Sequence, residues 1–296
     1  MVEPDAFDRP GRLVEVVAAQ LYVVEVGEPG AYPIVVLHGG PGLDHHEFGE
    51  YLDPLAERGY RLVLVDQRAS GRSPHCDPAT WTLQTMAEDV VSLARSLGLG
   101  RYAVLGHSYG AFVALQNAVD FPGMATQTIV SNGVPAAKYL AAVEKNLAAF
   151  EPIHLRAQVA ASWEKESSVQ TPDDFAAVVH DQWPFHFADP EDPRIEEYER
   201  QTAGTMYAPQ VLRVFATNDY GSIDVEDRLG EVTRPMLVVA GRHDRTCTVD
   251  AAEAIARGVP GAELVIFERS GHMTFVEEPE KYLDTVDRFL SPHREG

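Results

Sequence analysis

The chain is short of cysteine, short of lysine and without any long apolar run, and each scarcity removes a class of function. Cys76 and Cys247 are the only cysteines in 296 residues. They show no metal-ligand spacing, so neither a thiolate metal centre nor a disulfide framework is expected, and a reducing, cytoplasmic setting is the simplest reading. A single bridge between the two stays open at this level. No stretch approaches the roughly 20 apolar residues of a membrane-spanning helix. The segment Met1 to Arg12 is polar and acidic and lacks the basic-then-apolar order of a secretory leader, so none is expected. Lysine occurs only at 138, 145, 165 and 281, a compositional bias with no mechanistic content. Positive charge is short overall. The formal net charge of −21 repels nucleic acid and anionic membrane surfaces alike, so neither is an expected partner. There is no internal repeat and no low-complexity tract.

What is present is a large globular core, with 45% hydrophobic residues. For the first 130 residues, short apolar runs alternate with helix-like segments. Leu13 to Val26 reads as a pair of hairpin strands. Pro33 to Leu37, Arg61 to Val65, Tyr102 to Leu105 and Ala125 to Ser131 read as single strands. Phe48 to Arg58 reads as a helix, as does Thr85 to Leu97, which puts Met86, Val90, Leu93 and Leu97 on one face and opens on a capping box, Thr85 to Glu88. Such alternation predicts an α/β fold with a mostly parallel sheet flanked by helices. The pattern lapses from Val134 to about Gly230 and resumes with strands at Pro235 to Ala240 and Leu264 to Phe267. Helices are expected near Ala251 to Arg257 and from Pro279 to Leu290. Residues 1–133 and 231–296 are therefore expected to form the core, and 134–230 a mainly helical inserted cap. Ligands of such sheets sit beyond the carboxyl ends of the strands.

One of those ends carries Gly106-His107-Ser108-Tyr109-Gly110, a serine between small residues at a strand-to-helix turn. This resembles the G-x-S-x-G nucleophile elbow of an α/β-hydrolase, although an ordinary glycine-rich turn would read the same way. A serine hydroxyl needs a base to take its proton, and the base needs an acid to orient it. The fold orders them Ser, Asp, His. Asp244 follows the strand ending at Ala240, and His272 follows the strand ending at Phe267, which makes Ser108, Asp244 and His272 the expected triad. Oxyanion donors are expected from the Tyr109 amide and from the loop His38-Gly39-Gly40-Pro41-Gly42. There Gly40 is favoured because Pro41 has no N–H. His45 and His46, just beyond, read equally as pocket lining or as capping and surface residues. No metal and no cofactor is expected.

The run His38 to Gly42 resembles the HGGPG signature of the proline iminopeptidases and related serine aminopeptidases. Asp66-Gln67-Arg68-Ala69-Ser70-Gly71-Arg72-Ser73 is similar to that family's DQR-x-x-G-x-S segment, with Ala69 where glycine is usual. The resemblance spans nearly 200 residues of core and is loose between them. It implies acyl transfer through an ester on Ser108, with release of an N-terminal residue, often proline, from a short peptide. It also implies acidic side chains holding the free amino terminus. Archaeal members carry one acid in the second half of the cap and another directly after the triad aspartate. Asp219 fits the first role, but the second position is Arg245, of opposite charge. Either Arg245 turns away and neutralises a neighbouring acid, or it faces the substrate and selects a carboxylate or neutral group. Glu196, Glu197 and Glu199 offer a replacement acid, with Glu197 the candidate, although their spacing also suits a solvated face. The alternatives to an aminopeptidase are an esterase, amidase or lactonase on a small acyl substrate, or a ligand-binding protein that has kept the fold without turnover. The expected partner is a small molecule or short peptide; the oligomeric state is not legible in the sequence.

Overall fold

A computed structural model describes residues 9–293. Residues 1–8, most of the N-terminal segment read above as leaderless, lie outside the described residues. Eight strands form one sheet: β1 (Gly11–Val16), β2 (Ala19–Val26), β3 (Tyr32–Leu37), β4 (Tyr60–Asp66), β5 (Ala103–His107), β6 (Gln127–Ser131), β7 (Met236–Gly241) and β8 (Glu263–Phe267). Their order across the sheet is β1-β2-β4-β3-β5-β6-β7-β8. Only the β1–β2 and β2–β4 pairings are antiparallel. The chain runs outward in one direction through β4 and in the other through β5, so β3 and β5 flank the switch point where such sheets open a crevice.

The central strands are apolar throughout because both faces are covered. In β3, Ile34 and Val36 join the core on one face, and Val35 and Leu37 the core on the other. The helices, in chain order, are α1 (Pro54–Glu57), α2 (Leu83–Ser96), α3 (Tyr109–Asp120), α4 (Ala142–Ala148), α5 (Ile153–Lys165), α6 (Pro172–His186), α7 (Arg194–Gln201), α8 (Pro209–Ala216), α9 (Asp219–Ser222), α10 (Val249–Gly258), α11 (Thr274–Glu277) and α12 (Pro279–Leu290). Between β6 and β7 the described residues form helices and turns, with no strand beyond an isolated bridge of Ala136 to Asp224.

Two local expectations are corrected. The helix expected over Phe48 to Arg58 is instead one turn, His45–Phe48, followed by α1. Gly49 ends the first turn at φ 47°, and Pro54, which has no N–H to donate, starts the next. The cap of α2 is Thr82, not Thr85. Thr82 is extended, and its hydroxyl accepts the Thr85 N–H at 3.1 Å. The two cysteines are both free thiols. No helix among the described residues is long and apolar enough to cross a membrane.

Candidate active site

The site is assembled at the carboxyl ends of five strands. Past β5 the chain turns sharply into α3 with Ser108 at φ 54°, a left-handed conformation that costs a non-glycine residue about 1–3 kcal/mol. The flanking glycines make that turn possible. A Cβ on Gly106 would lie 2.1 Å from the Gly110 carbonyl oxygen, and one on Gly110 would lie 2.2 Å from that of Leu37. Ser108 is tied to the next strand through its N–H, which donates to Ser131 O at 2.9 Å. Tyr109 opens α3, so its amide belongs to the first turn, where helices leave N–H groups without an internal partner.

The loops after β7 and β8 meet backbone to backbone. A Cβ on Gly241 would fall 1.8 Å from the Gly271 carbonyl oxygen, a contact only glycine permits. That contact brings Asp244 to His272, whose Nδ1 donates to Asp244 Oδ2 at 2.8 Å. The same carboxylate accepts from Asn132 Nδ2 at 2.9 Å, from the Thr246 N–H and hydroxyl at 2.8 Å each, and from the Cys247 N–H at 2.9 Å. Burial alone would push its pKa up. The facing imidazole and these donors more than offset that and hold the carboxyl down at about 2. Asn132, at the end of β6 and itself at φ 54°, is thus a member of the network that no sequence motif marked.

Ser108, His272, Gly40 and Tyr109 all line one cavity. Its walls are mainly apolar, with Phe112, Trp163, Phe175 and Trp183 among them. No lysine or arginine lines it among the described residues. Two buried carboxyls do. Glu47, in the turn after the glycine-rich loop, accepts the Gly39 N–H at 2.5 Å on Oε2. Burial pushes its pKa up to about 8, against the lowering effect of that amide. Glu166, after α5, accepts from Gln182 Nε2 at 2.6 Å and from the Tyr220 hydroxyl, and burial raises it to about 7. His186, at the end of α6, also faces the cavity. Its ring centre lies 5.0 Å from that of His272, and burial drops its pKa to about 3.

The other expected site residues lie elsewhere. Asp219 is exposed at the start of α9. Glu197 lies on α7, paired with Arg200 and Gln201. Arg245 does not line the cavity. Its guanidinium donates to the carbonyls of Phe185 (3.1 Å), Phe187 (2.6 Å) and Ala188 (3.1 Å) and lies 5.2 Å over the Phe150 ring. It closes the carbonyl end of α6, where a cation is favoured. His45 and His46 are buried. His45 Nδ1 bonds Asp66 at 2.6 Å, and His46 Nδ1 bonds Asp44 at 3.0 Å. Asp44, His45 and His46, and separately Asp244, Cys247 and His272, come close enough to share an ion, but in both groups hydrogen bonds already occupy the carboxylates.

The sequence model of the α/β-hydrolase fold matches residues 32–279. A proline iminopeptidase of Saccharolobus solfataricus is 30% identical over 269 residues, 87% of this chain and 84% of the relative. A solved proline iminopeptidase of Mycobacterium smegmatis superposes with a TM-score of 0.74 at 26% identity, over 96% of this chain and 99% of that one. An esterase of Exiguobacterium antarcticum superposes with a TM-score of 0.75 at 24% identity, over 95% and 100%; at that identity it speaks for the fold alone.

Proposed function

The chain belongs to the α/β-hydrolase family and, within it, to the proline iminopeptidase-like serine hydrolases, and from that premise we propose an aminopeptidase that frees N-terminal residues, proline among them, from short peptides or aminoacyl amides. Ser108 is the nucleophile, His272 the base and Asp244 the acid that orients it. In that scheme Ser108 Oγ attacks the scissile carbonyl and His272 takes its proton, with Nδ1–H held by Asp244. The imidazole then hands the proton to the leaving amine, and water resolves the ester. The Gly40 and Tyr109 amides stabilise the oxyanion, each worth roughly 3 kcal/mol in the transition state. Residues 134–230 act as a cap that walls the acyl pocket. The observation that carries the reading is the Asp244–His272 pair, buried in the wall of the cavity that Ser108 also lines.

The mainly apolar wall favours one second reading, an esterase on a small acyl group. Turnover of proline, alanine and phenylalanine p-nitroanilides beside short p-nitrophenyl esters separates the two, because esters are intrinsically easier and only amide turnover decides. Ester cleavage without amide cleavage would overturn the aminopeptidase reading. Failure of a fluorophosphonate to label Ser108 would overturn both readings.

A further inference from the structure

The cavity holds a carboxyl oxygen that no hydrogen bond among the described residues uses. Glu47 is 5% exposed, and its Oε2 is taken by the Gly39 N–H. Its Oε1 has no hydrogen-bond partner among the described residues. A Cβ built on Gly39 would meet that Oε1 at 2.6 Å and Ser108 Cβ at 3.0 Å. The free oxygen and the serine therefore flank the same narrow gap. Glu166, by contrast, has both oxygens engaged, by Gln182 and Tyr220.

A carboxylate in this position is a problem unless something neutralises it. Left ionised beside a developing oxyanion it would oppose the charge that the reaction creates. Buried and unpaired, it is kept protonated near neutral pH, with its pKa raised to about 8. Among the described residues, no arginine or lysine lines the cavity to pair with it. A cation that arrives with the substrate would take the place of that proton. An α-ammonium nitrogen lies about 2.5 Å from the carbonyl carbon of its own residue, so a carbonyl placed at Ser108 puts that nitrogen within a few ångströms of the serine.

We infer that Glu47 is the specificity residue that accepts the substrate's free α-ammonium group. This rests on the aminopeptidase reading above. It gives the free-amine role to an acid in the turn just after the oxyanion loop, at a distance in sequence from Asp219, Glu197 and Arg245.

The test compares prolyl methyl ester with cyclopentanecarboxylic methyl ester, which share ring and leaving group and differ in the ammonium. The readout is the ratio of the two kcat/KM values, because a merely structural loss at the Gly39 loop would lower both together. The wild-type enzyme is expected to favour the amine ester, and Glu47→Gln to cut that preference about tenfold to a hundredfold, the worth of a hydrogen bond between charged groups. Circular dichroism and fluorophosphonate labelling of Ser108 check that the variant is assembled. Should Glu47→Gln not fold, Glu47→Asp replaces it: the shortened acid keeps the charge but not the reach, and it too must lose preference. A wild-type preference that survives substitution overturns the assignment of Glu47 alone. No wild-type preference for the amine overturns the aminopeptidase reading, and this inference with it.

Discussion

The two halves of the site are built by different means. On the sheet side, Ser108, Asn132, Asp244 and His272 each sit at a strand end, and backbone contacts decide their spacing: Gly110 against Leu37, and Gly241 against Gly271. On the helical side, Gln182 and Trp183 lie four and three residues before His186 on α6, while Glu166 and Tyr220 come from separate turns and meet only through side chains. The first half is fixed by main chain that almost any substitution would disturb. The second is fixed by side chains that can be exchanged. Under the proposed function, reaction chemistry belongs to the rigid half, and most of the apolar pocket wall to the exchangeable one.

The comparison breaks most sharply at Ser108. Ser108→Ala is expected to cut turnover by at least about a thousandfold while leaving thermal unfolding within a few degrees of wild type. Appreciable residual activity would move the nucleophile elsewhere. Next comes Gly241→Ala, where the added methyl must displace the Gly271 carbonyl. A fall in stability of roughly 3 kcal/mol is expected, with loss of activity, and denaturant melts measure it. On the helical side, Arg245→Ala leaves three carbonyls at the end of α6 without their donor and is expected to cost about 2 kcal/mol. Steady-state kinetics should show a raised KM, since α6 supplies the pocket wall; an unchanged melt and unchanged KM would detach Arg245 from α6.

A subtler effect follows from Glu166. Its carboxyl keeps its proton to about pH 7 in the fold, whereas 4.5 is its ordinary value. Between those two pH values the unfolded chain gives up a proton that the folded chain holds. Its contribution is therefore present below about 4.5 and is lost as pH rises to about 7. Glu166→Gln should flatten the stability-against-pH curve over that window, and an unaltered slope in chemical melts would count against a buried, proton-holding Glu166. The smallest effects belong to the exposed acids. Asp219→Asn and Glu197→Gln should leave kcat/KM within about twofold, and a larger loss would bring one of them back to the substrate.

This gradient also marks what could be read in the linear chain. The placement of Ser108, Asp244 and His272 just past strand ends was legible, because strand ends show in the apolar pattern. The glycines around them were legible for the same reason. Asn132 was not, because one asparagine after a strand carries no periodic signal. Glu47 and Glu166 were hidden among 45 acidic residues, and only burial separates them from the rest. The spacing of Gln182, Trp183 and His186 on α6 was a usable signal, but periodicity names a shared face without naming what the face looks at. The acid position after Asp244 was matched by chain order, and order is silent about the direction of a long side chain such as Arg245, which here serves the end of a helix.

The last turn of α6 does more than close a wall. The carbonyl of His186 accepts the backbone N–H of His272 at 2.6 Å, so the roof and the imidazole share a fastening. Swinging α6 aside as a rigid door would strip that N–H of its acceptor and loosen the ring it carries. Admission of a substrate to a site that stays armed therefore has to leave this turn where it is, with the breathing confined to segments that do not touch the histidine loop.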